Sequence, residues 1–171
     1  IASMWRNFLI LADFPVTPAR MSTIVDWLDS DSELVNQWGA EQPDYDSLPR
    51  TVSNTPMSDP TELAAIAGYG VVEVQYLLPY ITALPLAGTS PKLLPTTINI
   101  NTAPESILRA LGGEFSDAFT AAILDIRDEG GYFESIEALY QDLEGSLPIS
   151  PGDAAKFWPS TLIDVRSDFF Q

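Results

Sequence analysis

Residues 102–131, TAPESILRALGGEFSDAFTAAILDIRDEGG, carry two helix signals separated by a pair of glycines. Thr102-Ala103-Pro104-Glu105 is typical of a helix start, and Gly112-Gly113 ends the apolar pattern that follows it. Ser116 is predicted to cap a second helix, which ends at Gly130-Gly131. Apolar residues of the second segment recur at helical spacing: Phe119, Ala122, Ile123 and Ile126. This stretch therefore predicts two short helices joined by a hairpin.

Similar start signals recur along the rest of the chain. Thr17 precedes Pro18, and Asp59-Pro60-Thr61-Glu62 has the pattern of a capping box with proline at the first helical position. Ser135 and Ser150-Pro151 are predicted to start two more helices. β-branched residues favour an extended conformation at 95–101, and alternation predicts a strand near the end of the chain. The sequence therefore indicates a mainly α fold with little β structure.

The chain has 171 residues, which is enough for one domain or two small ones. We expect a first helical lobe at residues 1–94, a second at 95–159, and a terminal strand at 160–171. The first lobe contains an acidic loop, residues 26–59, with no clear periodicity after its first few positions. A loop of that length is uncommon in a compact domain unless something orders it.

This loop contains the candidate metal ligands. Asp26-Trp27-Leu28-Asp29-Ser30-Asp31 ends a predicted helix, and Gly39-Ala40-Glu41-Gln42-Pro43-Asp44 returns more carboxylates. Ca²⁺ takes six to eight oxygen ligands, so an irregular acidic loop suits it better than it suits Mg²⁺. The pattern is not an EF-hand, because the sixth and twelfth positions counted from Asp29 are Leu34 and Ala40. The alternative is that these aspartates are only solvated helix-end and turn residues.

Composition excludes several classes of function. The 24 acidic residues outnumber 8 basic ones, giving a net charge of −16, which repels nucleic acids and anionic membranes. Without cysteine or histidine, the chain has no thiol nucleophile, imidazole base or thiolate zinc site. We therefore expect no enzymatic activity. The four tryptophans, Trp5, Trp27, Trp38 and Trp158, are expected in cores or lobe interfaces rather than in a ligand site.

The segment from Ile98 to Phe133 resembles a helix-hairpin-helix module, on the run Ile98-Asn99-Ile100-Asn101-Thr102-Ala103, Gly112, Arg127 and Gly131-Tyr132-Phe133. That resemblance implies DNA binding as the alternative function. Here, however, the hairpin carries Glu114 and Asp117 where phosphates would lie, which opposes the main source of affinity in such modules. Arg127 is expected to pair locally with Asp125 or Asp128 rather than with a phosphate.

A second resemblance covers nearly the whole chain. The acidic segment 26–31, Gly39-Ala40-Glu41 with Tyr45, Asn54, Glu62-Leu63, the run 99–103 and the closing Val165-Arg166-Ser167-Asp168-Phe169-Phe170 occur in that order. This order resembles the K-type minor pseudopilins of type II secretion systems. Members tend to have an acid directly after Gly-Ala-Glu, where this chain has Gln42, and Asp44 is the nearest replacement.

The second resemblance implies a fold, a cofactor and partners. The fold is two SAM-like or helix-hairpin-helix-like lobes inserted into a pseudopilin α/β fold, with residues 160–171 as the returning strand. Together with the oxygen donors of the loop, it predicts Ca²⁺ bound by Asp29, Asp31, Glu41 and Asp44, with backbone carbonyls of residues 37–44. It also implies a place at the tip of a periplasmic pseudopilus with I-type and J-type minor pseudopilins. Secreted substrates are possible further partners, and an inner-membrane anchor would be an N-terminal helix that this chain lacks.

Overall fold

The computed structural model describes residues 2–47, 50–83 and 96–167. Helices predominate, which confirms the predicted mainly α class. In chain order the elements are α1 (Ala2–Leu11), α2 (Pro18–Leu28), α3 (Gln42–Tyr45), a 3₁₀ helix (Pro60–Ala65), α4 (Val71–Leu77), a 3₁₀ helix (Leu78–Tyr80), β1 (Ile98–Asn99), α5 (Glu105–Ala110), α6 (Ser116–Asp128), α7 (Ile136–Ser146), α8 (Asp153–Phe157) and β2 (Ile163–Asp164). None of the helices in these ranges has the length and apolar character that crossing a membrane requires.

The chain forms two compact units whose boundaries differ from the predicted lobes. One unit is continuous, Pro15–Pro91, and the other is split between Ile1–Phe14 and Lys92–Gln171. We call them the continuous unit and the split unit. This division groups the first fourteen residues with the second segment rather than with residues 15–91, unlike the predicted lobe of residues 1–94. Helix α1 packs on α5, more than ninety residues later, and no local sequence signal reports such a partner.

Local capping explains where the continuous unit begins its helices. The Thr17 hydroxyl accepts a hydrogen bond from the Arg20 backbone N–H at 3.2 Å, with Pro18 at the first turn of α2, as predicted. The predicted capping box of Asp59 and Glu62 is also present, although the helix that it starts is a 3₁₀ helix. The apolar core of this unit comprises Trp27, Tyr45, Val52, Leu63, Ile66, Tyr69, Val74 and Leu77.

Arg20 connects α2 with α4 inside the continuous unit. Its side chain is buried, forms an ion pair with Glu73, and donates to the Pro15 carbonyl at 2.7 Å. Its guanidinium also lies 4.6 Å from the centre of the Tyr69 ring. A buried charge is costly unless it is paired and hydrogen-bonded, and this arrangement supplies both kinds of partner.

The split unit packs α5 to α8 around one hydrophobic core. Trp158 and Phe119 meet edge to face at 5.2 Å, and the Trp158 indole donates to the Gly112 carbonyl at 3.0 Å. That bond holds α8 against the glycine hairpin. Helix α1 joins this core through Met4 and through the Asn7 amide, which donates to the Ala110 carbonyl at 3.3 Å.

A short parallel sheet connects the two ends of the split unit's second segment. Ile98 of β1 pairs with Ile163 of β2, and Asn99 pairs with Asp164. The Asn101 side chain extends this link, since its amide donates to the carbonyls of Phe133 and Val165 at 2.9 and 3.0 Å. A terminal strand was predicted at 160–171; the structure has β2 there, and residues 168–171 lie outside the described residues. Whether β2 joins a larger pseudopilin sheet stays a prediction.

Several local predictions for the split unit need correction. Phe115, not Ser116, is the N-cap of α6, because the Ser116 hydroxyl donates to the Arg109 carbonyl at 2.9 Å. Helix α5 starts after Pro104, and α8 starts after Gly152, whose positive φ of 86° suits glycine. Arg127 forms no ion pair within the described ranges; it donates to the Ala103 carbonyl at 2.7 Å.

The burial of the tryptophans agrees with the prediction for two of them and disagrees for Trp38. Trp27 and Trp158 are buried, as expected for core residues. Trp38, by contrast, is 51% exposed on the acidic loop. Its backbone N–H donates to the Asn36 side-chain oxygen at 2.8 Å.

Candidate metal centre

The end of α2 and the start of α3 bring three acidic residues together. Asp29 is the C-cap of α2, where its backbone N–H donates to the Val25 carbonyl at 2.9 Å, and Asp31 follows two residues later. Glu41 is the N-cap of α3. One carboxylate oxygen from each of Asp29, Asp31 and Glu41 lies within 4.8 Å of the other two. Three of the four predicted ligands therefore share one site.

Asp26 shapes the loop that carries this site. Its side chain is fully buried, and its two carboxylate oxygens accept hydrogen bonds from the backbone N–H groups of Val35 and Ala40 at 2.9 and 2.7 Å. Gly39 passes so close that an added Cβ would collide with the Asp26 carboxylate. Because both of its oxygens are used in this way, Asp26 positions the loop rather than offering a free ligand.

A second set of hydrogen bonds joins the same loop to Ser22 of α2. The Ser22 hydroxyl and the Asn36 amide exchange hydrogen bonds at 2.9 and 3.1 Å. The Asn36 side-chain oxygen also accepts from the Trp38 backbone N–H at 2.8 Å. Residues 35–40 of the aperiodic stretch are therefore held to α2 by polar contacts.

The carboxylates at the site have unfilled hydrogen-bonding capacity. Glu41 is only 4% exposed, and neither of its carboxylate oxygens accepts a hydrogen bond of standard length and angle among the described residues, although the Asn54 side chain lies near enough to act on its pKa. Asp29 Oδ1 likewise accepts no such hydrogen bond from the described residues. Buried charged oxygens of this kind are costly unless a cation or a donor compensates them. This is the observation that points to a bound cation.

Electrostatics agrees with the geometry. Burial raises the pKa of Asp29 above its ordinary value, and the neighbouring carboxylates of Asp31 and Asp26 raise it further. Burial likewise raises the pKa of Glu41, with additional contributions from Asp26, Asp29 and Asp31 and a smaller opposing one from the Asn54 amide. The neighbouring carboxylates thus destabilise the ionised forms of Asp29 and Glu41, and a cation between them would relieve that repulsion.

Asp44, the fourth predicted ligand, lies outside this group of three. Its Oδ2 accepts a hydrogen bond from the Glu41 backbone N–H at 2.9 Å, so it is engaged in the first turn of α3. Gln42 accepts a hydrogen bond from the Val52 N–H at 2.9 Å and donates to the Arg50 carbonyl at 3.3 Å. Asp44 therefore contacts the Glu41 backbone, and Gln42 ties the start of α3 to residues 50–52.

Asn54 lies beside this group, although it was singled out only for the family resemblance and not as a predicted ligand. Its side-chain amide donates to the Asp31 carbonyl, and its Oδ1 is buried without a hydrogen-bond partner in the described part of the chain. Its φ is +45°, a region that asparagine tolerates better than most residues. An asparagine in a turn-rich segment was the available signal, but the contact with Asp31 spans 23 residues.

The donor set fits calcium. Asp29, Asp31, Glu41 and the Asn54 amide supply only oxygen atoms, and hard cations bind oxygen. Ca²⁺ also accepts irregular coordination, whereas Mg²⁺ demands a tight octahedron and keeps its waters. An acidic cluster that could hold a hard cation therefore lies at the junction of α2 and α3.

The helix-hairpin-helix segment has different electrostatics from a DNA-binding module. Arg109, which precedes the hairpin, forms ion pairs with Glu105 at 2.8 Å and with Asp117. Its charge is therefore already opposed by two carboxylates. Gly112 and Gly113 have positive φ, as a glycine hairpin requires. The free basic side chains that bind phosphates in DNA-binding members are not found beside the hairpin in the described residues.

Family models match most of the chain. Two models, both described as "Type II secretion system (T2SS), protein K", match residues 3–86 and 98–157. The first match ends near the end of the continuous unit, and the second lies within the split unit.

Individual relatives agree with these models. The type II secretion system protein K of Aeromonas hydrophila is 31% identical over 86% of this chain, and that of Dickeya chrysanthemi is 38% identical over 99%. These matches cover 42% and 45% of the relatives, so the chain spans less than half of their length.

A solved structure shares the fold. A chain of the GspK–GspI–GspJ complex from the enterotoxigenic Escherichia coli Type 2 Secretion System has a TM-score of 0.71 at 21% identity. The match covers 97% of this chain and 56% of that one. Together with the two family models, these similarities show that the chain belongs to the type II secretion system protein K family.

Proposed function

We propose that this chain is the helical periplasmic part of a K-type minor pseudopilin that supports protein export and works by surface contact rather than by catalysis. The observation that carries the proposal is the family match across both compact units. Composition supports the non-catalytic part, since the chain has no cysteine or histidine.

The proposed partners are I-type and J-type minor pseudopilins at the tip of a pseudopilus. Support comes from the solved GspK–GspI–GspJ complex, one chain of which shares this fold. We further propose that the protein is held in the inner membrane of a Gram-negative bacterium by a segment outside this chain. We also propose secreted substrates as contacts of the tip.

Co-purification tests this assembly. The full periplasmic portion, with the rest of its sheet restored, is expressed with a tag beside untagged I-type and J-type pseudopilins from the same bacterium. All three should elute together in a single peak from size-exclusion chromatography. Elution of the tagged protein alone, under conditions in which the I and J types pair with each other, would contradict the proposal.

The second part of the proposal is a structural calcium ion held by Asp29, Asp31 and Glu41, with the Asn54 side-chain oxygen as a further ligand. It rests on the unpartnered buried oxygens at the site and on their mutual repulsion. The ion would supply positive charge that neutralises this cluster and stabilises the loop. Ligation by Asp44 and by carbonyls of residues 37–44 stays a prediction.

Thermal unfolding of the chain tests the calcium site. Adding CaCl₂ after EDTA treatment should raise the melting temperature, and MgCl₂ should raise it less. The double variant Asp29→Asn with Asp31→Asn should lose the response. Glu114→Gln with Glu134→Gln, which removes two exposed charges of the split unit, should keep it. A melting temperature indifferent to both Ca²⁺ and EDTA would return the aspartates to the role of solvated turn residues.

The DNA-binding alternative makes the opposite prediction for the same chain. A helix-hairpin-helix DNA-binding module should bind duplex DNA with a steep dependence on salt. With a net charge of −16 and with Arg109 paired to carboxylates, we expect no shift of labelled duplex in an anisotropy titration at physiological salt. Saturable binding of the duplex that weakens as salt rises would support the DNA-binding function instead.

A further inference from the structure

Helices α6 and α7 of the split unit border a surface groove of about 710 Å³. Small residues line much of it: Ala118, Ala121, Ala122 and Gly145. Ile126 and Leu147 add larger apolar side chains, and both are only half-buried. Small side chains along two adjacent helices leave room for the backbone of a third helix to approach, with one large apolar side chain inserted between them.

The groove is also strongly acidic. Asp125 of α6 and Asp142 of α7 line it, both exposed, and neither forms an ion pair with any residue that the structure describes. The two helices contain six acidic residues and one basic residue, Arg127. Because the Arg127 guanidinium donates to the Ala103 carbonyl, it is already engaged away from these carboxylates.

Neighbouring cations of the split unit do not neutralise the groove either. Arg109 pairs with Glu105 and Asp117, and Lys156 pairs with Asp153 at 3.6 Å. The groove therefore combines an apolar lining with two uncompensated carboxylates. Complementary charge on a ligand would be favourable here, both for the rate of association and for specificity.

We propose that the α6–α7 groove binds a helical segment of a partner protein that presents an apolar side chain flanked by lysine or arginine. A second copy of this chain is disfavoured because it carries the same net charge of −16, and nucleic acid is disfavoured for the same reason. This docking surface lies in the split unit and is independent of the calcium site. It adds an interaction to the proposed secretion role without depending on it.

A synthetic probe tests the groove directly. The probe is a fluorescein-labelled amphipathic helical peptide with leucines on one face and lysines beside them, and its control replaces every lysine with glutamate. Fluorescence anisotropy with the whole chain should show saturable binding of the lysine peptide that weakens with salt, and none of the glutamate peptide. Absence of binding by the lysine peptide would overturn the proposal.

Variants distinguish the groove from general attraction to an acidic protein. Ala121→Trp fills the groove from an exposed position, and Asp125→Asn with Asp142→Asn removes its two charges. Each should weaken binding about fivefold or more, whereas Glu114→Gln with Glu134→Gln, a matched removal of two exposed charges, should change it less than about twofold. Equal weakening by both double variants, or none by Ala121→Trp, would overturn the proposal.

Two further measurements keep the test decisive. Circular dichroism melts verify that each variant is folded, and Gly145→Gln, which fills the groove from α7, replaces Ala121→Trp if that variant melts early. Sedimentation velocity of the wild-type chain should show a monomer. A dimer that Ala121→Trp dissociates would assign the groove to a second copy and contradict the proposed occupant.

Discussion

The Asp26 carboxylate occupies the space where a side chain at position 39 would begin. Its Oδ2 accepts the Ala40 N–H at 2.7 Å, and a Cβ on Gly39 would collide with that same oxygen. Glycine is therefore required here for close approach and not for an unusual φ. This contact determines how the loop returns to α2 and delivers Glu41 to the acidic cluster.

Gly39→Ala should destabilise the chain by about 1–3 kcal/mol, because the Asp26 carboxylate must move and give up a buried hydrogen bond. Chemical denaturation followed by circular dichroism measures the change. Gly145→Ala is the matched control: nothing lies within 4 Å of its added Cβ, and it is inside α7, so it should be neutral or stabilising by up to about 1 kcal/mol. Equal effects of the two substitutions would contradict the packing described for Gly39.

Asp26→Asn tests the carboxylate itself. An amide has one acceptor oxygen, so one of the N–H groups of Val35 and Ala40 would face an NH₂ group and remain unsatisfied. We expect a loss of about 1–3 kcal/mol in the free energy of unfolding, in calcium and in EDTA alike. Asp128→Asn, which removes one exposed charge, should have less than half of that effect. If Asp26→Asn lowered the free energy of unfolding only when calcium is present, Asp26 would instead be a calcium ligand.

Asn54 gives a sharper test of the calcium site than the aspartates. Asn54→Gly keeps the positive φ available and removes the side-chain oxygen, so calcium affinity in isothermal titration calorimetry should fall about tenfold or more. Asn54→Asp restores an oxygen at the same place and should recover most of the affinity. If both variants bind calcium as the wild type does, the Asn54 oxygen is not a ligand.

Acid should destabilise the continuous unit through its capping box. Hydrogen bonds from Thr61 lower the pKa of Asp59, and hydrogen bonds from Ser58 lower that of Glu62 despite some burial. A depressed pKa in the folded state contributes stability above the unfolded-state pKa, and that stability is lost as the pH falls through the folded-state value. The loss should therefore occur below about pH 4.

Glu62→Gln isolates this contribution. Glutamine can still accept a hydrogen bond from Ser58 but does not titrate, so the melting temperature of the variant should fall less steeply between about pH 4 and pH 2. Glu134→Gln is the control, because it removes an exposed carboxyl that makes no hydrogen bond among the described residues. Its melting temperature should fall with pH as steeply as that of the wild type. An identical pH profile for Glu62→Gln and wild type would contradict the capping assignment.

Sequence patterns predicted the local features of the fold well. The caps at Thr17 and Ser135 and the capping box at Asp59 depend on residues within one turn, and the structure confirms them. Ser116 was misjudged because its hydroxyl bonds seven residues back to Arg109 instead of capping its own helix. The placement of α1 in the split unit depends on packing against α5, which no local pattern encodes.

The sequence predicted some residues of the candidate site and missed the roles of others. Asp29, Asp31 and Glu41 could be grouped because carboxylates flanked one loop, and the structure brings all three together. The roles of Asp26 and Asn54 could not be predicted. Asp26 bonds to backbone N–H groups 9 and 14 residues away, and Asn54 reaches Asp31 across 23 residues. Contacts at such separations depend on the folded loop.

The proposed role in secretion is tested most directly in the source bacterium, by deleting the gene that encodes this chain and measuring where proteins exported by its type II system accumulate. Export to the medium should fall, with the cargo retained in the periplasm, and the intact gene supplied on a plasmid should restore it. Normal export in the deletion strain, in the absence of a second protein K gene, would contradict the proposed function.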